Sequence, residues 1–393
     1  MNMKITDTIR YIGTDDADLD LFESQYAVPN GISYNSFLIM DDKVAIMDNV
    51  DLRKSAEWWS NVTEALEGRT PDYLIVQHVE ADHAGCIGEV VERYPEIRVV
   101  TSARAAQILS QFYRYPPLFE RIMTVEEDDT LSLGHHTLQF MMAPMVHWPE
   151  VMVTYDQTDK VLFSADAFGT FGILDGQIFD TETNAAWPNE ARRYYYNICG
   201  KYGQPVQALL KKVNTLDIQC ICPLHGPVLT ENLSHHIDLY NTWSRYEAES
   251  EGVLIAYASI HGSTEKVAHI MASMIEPKGV EVKFIDLCRT DISAAVAEAF
   301  RMKRIVLAAS SYDGGLFTPM YEFLHRIHIK GYKNRRVGII ENGSWAPSAG
   351  RVMKEMLAKM KGIDLIEPMV TIRSCLQPTD VPALEALTKA ILT

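Results

Sequence analysis

The stretch Tyr73-Leu74-Ile75-Val76-Gln77-His78-Val79-Glu80-Ala81-Asp82-His83 constrains the chain more than any other. Tyr73 to Val76 is a continuous aromatic and aliphatic run, the pattern of a strand buried on both faces. His78, Glu80, Asp82 and His83 follow at once, two imidazoles and two carboxylates. Ionisable groups at the mouth of a buried strand are costly unless something pairs with them. A metal ion, or two, is the simplest partner. Gly85 then allows a tight turn into Cys86 to Arg93, which reads as a helix.

Three later places share one grammar, an apolar strand that ends in a metal-competent side chain. Thr137 to Val146 leads to His147, Val161 to Ala165 leads to Asp166, and Leu216 to Leu224 leads to His225. Loops at strand ends let a rigid sheet present several side chains to one point. Taken singly, a His beside a Pro or Gly reads as a turn residue, and an Asp after a strand as a helix cap. The dense cluster and the three strand-end residues together resist that piecemeal reading. His135, His136, His235, His236, His269, His325 and His328 are assigned no ligand role.

Up to residue 249 the pattern is rich in strands. Residues 30–48 read as a hairpin, 54–67 and 103–111 as helices, and 97–101, 137–142, 151–155 and 161–164 as strands. That mixture predicts an α+β layer arrangement with helices outside sheets. From residue 250 the pattern changes to alternating strands and helices. Strands are expected at 253–258, 282–285, 304–309 and 337–340, with a weaker fifth near 363–366. Helices are expected near 264–275, 291–300, 318–328, 348–361 and 381–392. Such alternation predicts a doubly wound parallel sheet with its ligand at the carboxyl ends of the strands.

Those ends carry suitable chemistry. After the first strand of this part come Ser259, His261, Gly262, Ser263 and Thr264, hydroxyls and a glycine leading into a helix N-terminus, an anion cradle. There is no P-loop lysine and no GxGxxG spacing. The third strand ends in Ser310, Ser311, Tyr312, Asp313, Gly314 and Gly315, the fourth in Gly343, Ser344, Trp345 and Ala346. Tyr312 and Trp345 beside glycines can sandwich a flat heterocycle. A place in the core is the lesser alternative for these two aromatics.

With a formal net charge of −16 the chain lacks the basic excess of a nucleic-acid binder. Its 47% hydrophobic content is enough for two packed domains. No run of about 20 apolar residues is present for a membrane span, and the N-terminus has no apolar signal-peptide core. The six cysteines are scattered, with no CxxC pair. Cys220 and Cys222 alternate in an apolar run and read as strand residues. A cytoplasmic protein with reduced thiols is expected.

The order of ligands resembles the metallo-β-lactamase fold, whose motif H-x-[HE]-x-D-H is followed by a distant His, an Asp and a final His. Glu80, where hydrolytic relatives have His, is the mark of the flavodiiron proteins. The three loops of the second part resemble flavodoxin. This resemblance implies an αββα metallo-β-lactamase-like sandwich over 1–249, followed by a five-stranded flavodoxin-like sheet over 250–393. It implies two iron ions: His78, Glu80 and His147 on one, Asp82, His83 and His225 on the other, and Asp166 bridging. His83 is the ligand whose counterpart varies within the family. It implies FMN in the second part, and reduction of dioxygen to water, of nitric oxide to nitrous oxide, or both. A head-to-tail homodimer or a tetramer, and an external donor such as rubredoxin or a reduced deazaflavin, are implied too. Tyr26, Trp148 and Phe168 are the candidates for lining the gas pocket. A dizinc hydrolase with a flavodoxin-like docking module, and an FMN carrier or redox sensor without a catalytic metal centre, are the alternatives left open.

Overall fold

The computed structural model describes residues 3–183 and 187–393, which divide into two compact units, Met1–Asn241 and Thr242–Thr393. In the first unit, strands β1 (Met3–Lys4), β2 (Ile9–Tyr11), β3 (Phe37–Ile39), β4 (Ala45–Met47), β5 (Tyr73–Ile75), β6 (Arg98–Ser102) and β7 (Ile122–Val125) form a mixed sheet in that spatial order. Strands β8 (Thr130–Ser132), β9 (Thr137–Met142), β10 (Met152–Asp156), β11 (Val161–Phe163) and β12 (Cys220–Cys222) form a second sheet, also in chain order. The expected hairpin is present: β3 and β4 are antiparallel, with Phe37 opposite Met47.

Alternation along the strands explains the layering. Phe37, Ile39, Met47, Ile75 and Val100 from the first sheet share one core with Phe140, Met152, Phe163 and Cys222 from the second. Leu38, Ile46, Leu74 and Val99, at the intervening positions, are just as buried but lie outside that core. The first sheet is therefore covered on both faces, as its unbroken apolar strands require. Helix α1 (Ala103–Phe112) lies against β6 and β7, and its Ser102 cap accepts from Ala105 N at 3.1 Å. Each fully buried Leu, Ile or Phe contributes about 1.5–3 kcal/mol. This is the metallo-β-lactamase-like sandwich.

In the second unit β13 (Ser250–Ala258), β14 (Val282–Asp286), β15 (Met302–Tyr312) and β16 (Arg336–Asn342) are parallel, in the order β14-β13-β15-β16. The fifth position differs from the expectation of one strand at 363–366. It is shared by two short segments, Asp364–Leu365 and Val370–Ile372, both parallel to β16. Pro368 lies between them and has no N–H to give to a ladder. Helices α2 (Ser263–Ile275) and α3 (Val381–Leu392) pack with one face of the sheet through Val267, Met271, Leu384 and Leu387. The order in which the chain adds strands reverses between β13 and β15, and the crevice at that switch point is where a doubly wound fold binds its ligand. This is the flavodoxin-like unit.

Candidate metal centre and flavin pocket

The chain clamps the ligand loop of the first unit at both ends. Asp48, at the end of β4, accepts from Gln77 N and from Gln77 Nε2, each at 2.8 Å, fixing the residue before His78. Its neighbour Asn49 accepts from Cys86 N at 2.8 Å and donates its own N–H to His83 O at 3.3 Å. Burial pushes the Asp48 carboxyl up to about 6, against the pull of its Gln77 bonds. Between the clamped ends a single helical turn, Ala81–Ala84, aims Asp82 and His83 inward. His147 stands in the turn after β9. Asp166 follows β11, on a turn closed by Gly169 N to Asp166 O at 3.1 Å. His225 follows β12, with its Nδ1 2.7 Å from Ser33 O.

All seven side chains converge, as two groups sharing Asp166. Glu80 Oε2 lies 3.3 Å from His78 Nε2 and 3.1 Å from His147 Nε2. Asp166 Oδ2 lies 3.3 and 3.1 Å from the same two nitrogens. On the other side Asp82 Oδ2 is 3.5 Å from His83 Nε2 and 3.4 Å from His225 Nε2. Asp166 Oδ1 is 3.3 and 3.7 Å from those nitrogens. One carboxylate thus turns one oxygen to each group. His83 stands with the second group.

The donor set fits two cations. Ligands held about 2.0–2.2 Å from an ion sit roughly 3–3.5 Å from one another, the spacing seen here. His83 Nε2 and His225 Nε2 are 3.0 Å apart, a spacing that one proton shared between them or one cation bound by both satisfies. Asp82 Oδ1 is buried with no donor. Electrostatics agree. Burial opposes protonation of His78, yet Asp166, Glu150 and Glu80 outweigh it and hold the imidazole well above its usual value. His147 is pushed up to about 9 against burial by Asp166 and Glu80. Glu80 is drawn down to about 2 against burial by His147 and His78. A pocket that pulls positive charge onto buried imidazoles is a pocket for cations. Three carboxylates in the set favour a hard, redox-active metal over zinc.

The surroundings of this cluster were only partly legible in sequence. Trp148 does stand beside it, 5.4 Å from the His78 ring. Tyr26 instead donates to Asn197 O at 3.0 Å, and Phe168 stacks on Tyr240 at 4.3 Å. Phe22, Tyr34 and Tyr194, none of them singled out in the sequence, pack their rings 5.3, 5.9 and 5.6 Å from the His225 ring. The Tyr194 hydroxyl is buried and has no hydrogen-bond partner. Glu80 and Asp82 border a cavity of about 240 Å³, with Phe22, Tyr34 and Arg53 on its walls.

In the second unit a cavity of about 560 Å³ opens at the switch point, within the range of cofactor sites. Gly262, at φ +84°, turns the chain into α2, and its N–H donates to Ser259 Oγ at 3.0 Å. A Cβ on Gly262 would meet nothing nearer than 3.8 Å, so it is the positive φ that calls for glycine here. Thr264 Oγ1 and Ser310 Oγ are 3.0 Å apart. No Lys or Arg lines the cavity; an anionic group there meets hydroxyls and a helix N-terminus.

Tyr312 is 49% and Trp345 89% exposed, so neither ring packs in a core. Both border the cavity and leave faces free for a flat ring. Of the residues expected there, Gly262 and Gly315 are backbone to the turns and do not line it. Ile260, Asn342, Ser348 and Ser374 line it in addition. Ser374 lies beyond the fifth strand position, held by Ser374 N to Asn342 Oδ1 at 3.0 Å and Ser374 Oγ to Ser344 Oγ at 2.8 Å. Hydroxyls at one end and open aromatic faces at the other suit a flavin monophosphate.

Comparison with known proteins agrees with this geometry. Residues 32–226 match the family model described as ODP family beta lactamase. An uncharacterized protein of Methanocaldococcus jannaschii is 32% identical over 324 residues, covering 82% of this chain and 81% of that one. The anaerobic nitric oxide reductase flavorubredoxin of Aeromonas hydrophila is 28% identical, covering 89% of this chain and 71% of its own. A diflavin flavoprotein of Synechocystis is 33% identical over 73% of this chain, which spans 50% of its length. Among solved structures, rubredoxin oxygen:oxidoreductase of Desulfovibrio gigas superposes with a TM-score of 0.91 at 24% identity, covering 100% of this chain and 98% of that one.

Proposed function

The chain belongs to the flavodiiron proteins, and from that premise we propose that it reduces dioxygen to water, nitric oxide to nitrous oxide, or both. The second unit would hold FMN as the entry point for electrons, and the first would hold the two irons that receive them. The observation that carries this reading is the position of Glu80, whose carboxylate faces the same two imidazoles as Asp166 does. Iron, when bound, supplies the electrons and the open positions at which a small gas is reduced.

The chain's own residues supply the rest. His78, Glu80 and His147 form one ligand set, Asp82, His83 and His225 the other, and Asp166 joins them. Phe22, Phe171 and Tyr194 pack around the His225 side and exclude water there. The cavity beside Glu80 and Asp82 gives a small uncharged molecule a way in. Ser259, His261, Ser263 and Thr264 hold the flavin phosphate, and Tyr312 and Trp345 hold the ring.

The modules are assigned to 1–249 and 250–393, the protein to the cytoplasm, and the donor to a rubredoxin-type carrier. On the family resemblance alone, electron transfer is assigned to a head-to-tail homodimer, or a tetramer built from it, one copy's flavin serving the other's irons. Anaerobic turnover of the purified, metal-quantified protein with reduced rubredoxin tests the reading, each gas offered separately. Consumption of either gas with about two irons and one FMN per chain is expected. A colourless protein with about two zinc ions and no gas consumption overturns it.

A further inference from the structure

His78, one of the four imidazoles of the metal cluster, is itself held by a buried carboxylate. Glu150 Oε1 lies 2.8 Å from His78 Nδ1, and both side chains are fully buried. The same oxygen accepts from Val79 N at 3.2 Å. Glu150 stands three residues after His147 in the same turn, and its backbone carbonyl accepts from Ser102 Oγ at 2.8 Å. Its second oxygen, Oε2, is buried with no donor. No Lys or Arg pairs with it among the described residues. A buried carboxylate on such terms is costly, and a neutral Gln would bond Val79 N as well. What Gln cannot supply is the negative charge behind the imidazole.

The two imidazoles of the other group are held differently. His225 Nδ1 faces a neutral carbonyl, Ser33 O, at 2.7 Å. His83 Nδ1 is buried with no partner. We propose that Glu150 is a positioning residue for one half of the centre only: it holds the proton on His78 Nδ1, turns Nε2 toward the ion, and makes the His78–Glu80–His147 position the more electron-rich of the two. The inference rests on the metal-centre reading above. It adds an inequivalence between two positions that the ligand list alone leaves alike.

The test uses the full-length chain stripped of metal and titrated with Zn²⁺ against a chromophoric chelator, as wild type, E150Q and E150D. The expected result in E150Q is 10–100-fold weaker binding at one of two positions, with the other within about twofold. E150D, which keeps the charge, recovers part of the loss. Equal weakening of both positions, or of neither, overturns the inference. Should wild type fail to bind two ions, the metal-centre reading itself falls, a separate outcome. ¹⁵N NMR of the zinc-loaded wild type stands even if the variants do not fold. A protonated Nδ1 and metal-bound Nε2 on His78 support the inference, and the opposite tautomer overturns it.

Discussion

At the scale of the residue, charge at depth decides most of what this chain does. The seven converging ligands are buried or nearly so, and they are tolerable only as a mutually compensating set. A second buried pair, away from the metal centre, follows the same rule. His136 Nδ1 lies 2.9 Å from Asp156 Oδ2, and its Nε2 lies 2.8 Å from Thr8 Oγ1. Burial alone would depress this imidazole, but Asp156 outweighs it and raises it above its usual value. A group raised on folding adds stability that is complete below its unfolded value, about 6.5, and is lost as pH rises through the folded value. H136Q is therefore expected to lower the melting temperature more at pH 5.5 than at pH 8.5. Thermal unfolding of both proteins at the two pH values checks it; a gap that widens with pH contradicts it.

The residues that sequence made visible were those with a local signature. His78, Glu80, Asp82 and His83 announce themselves by density, and His147, Asp166 and His225 by ending apolar strands. Glu150 and Tyr194 were not legible. Glu150 sits in a turn beside Pro149, where a carboxylate is unremarkable, and Tyr194 sits in a run of three tyrosines that reads as core. Their roles come from contacts across long stretches of chain, which no local pattern encodes.

At the scale of the element, hydrophobic periodicity located the strands and helices well. β9 spans the expected 137–142, and α2 begins one residue before its expected start. The fifth sheet position was only half located: Asp364–Leu365 falls inside the expected 363–366, but Val370–Ile372 is too short to stand out and Pro368 interrupts the run. Elements are also joined by polar ties that periodicity does not show. Arg335, 2% exposed, donates to Met302 O at 2.9 Å, Tyr246 O at 2.7 Å and Phe300 O at 2.5 Å. It thereby fastens β15 and the helix before it to the start of the second unit. R335M would remove the guanidinium's bonds to three backbone carbonyls, at about 1 kcal/mol each, roughly 3 kcal/mol in all. Calorimetry should show the transition of the second unit falling by roughly 6–12 °C. A fall under about 2 °C would mean that water replaces the guanidinium.

At the scale of the molecule, neither unit alone accounts for the function. The sandwich holds a cation pair that hydrolases of the same fold also hold, and the parallel sheet offers a flavin cavity that simple carriers share. The succession of the two was plain in the switch from strand-rich to alternating patterning near residue 250. Along the chain the division between the compact units falls between Asn241 and Thr242. The central claim is that electrons from the flavin are consumed at the metal cluster. The most direct measurement is stopped-flow absorbance of the chemically reduced, FMN-loaded protein mixed with dioxygen or, separately, nitric oxide, in wild type and D166A. Fast flavin reoxidation in wild type with at least one gas, lost in D166A while FMN stays bound, is the predicted result. Equal reoxidation rates in both proteins would contradict the account.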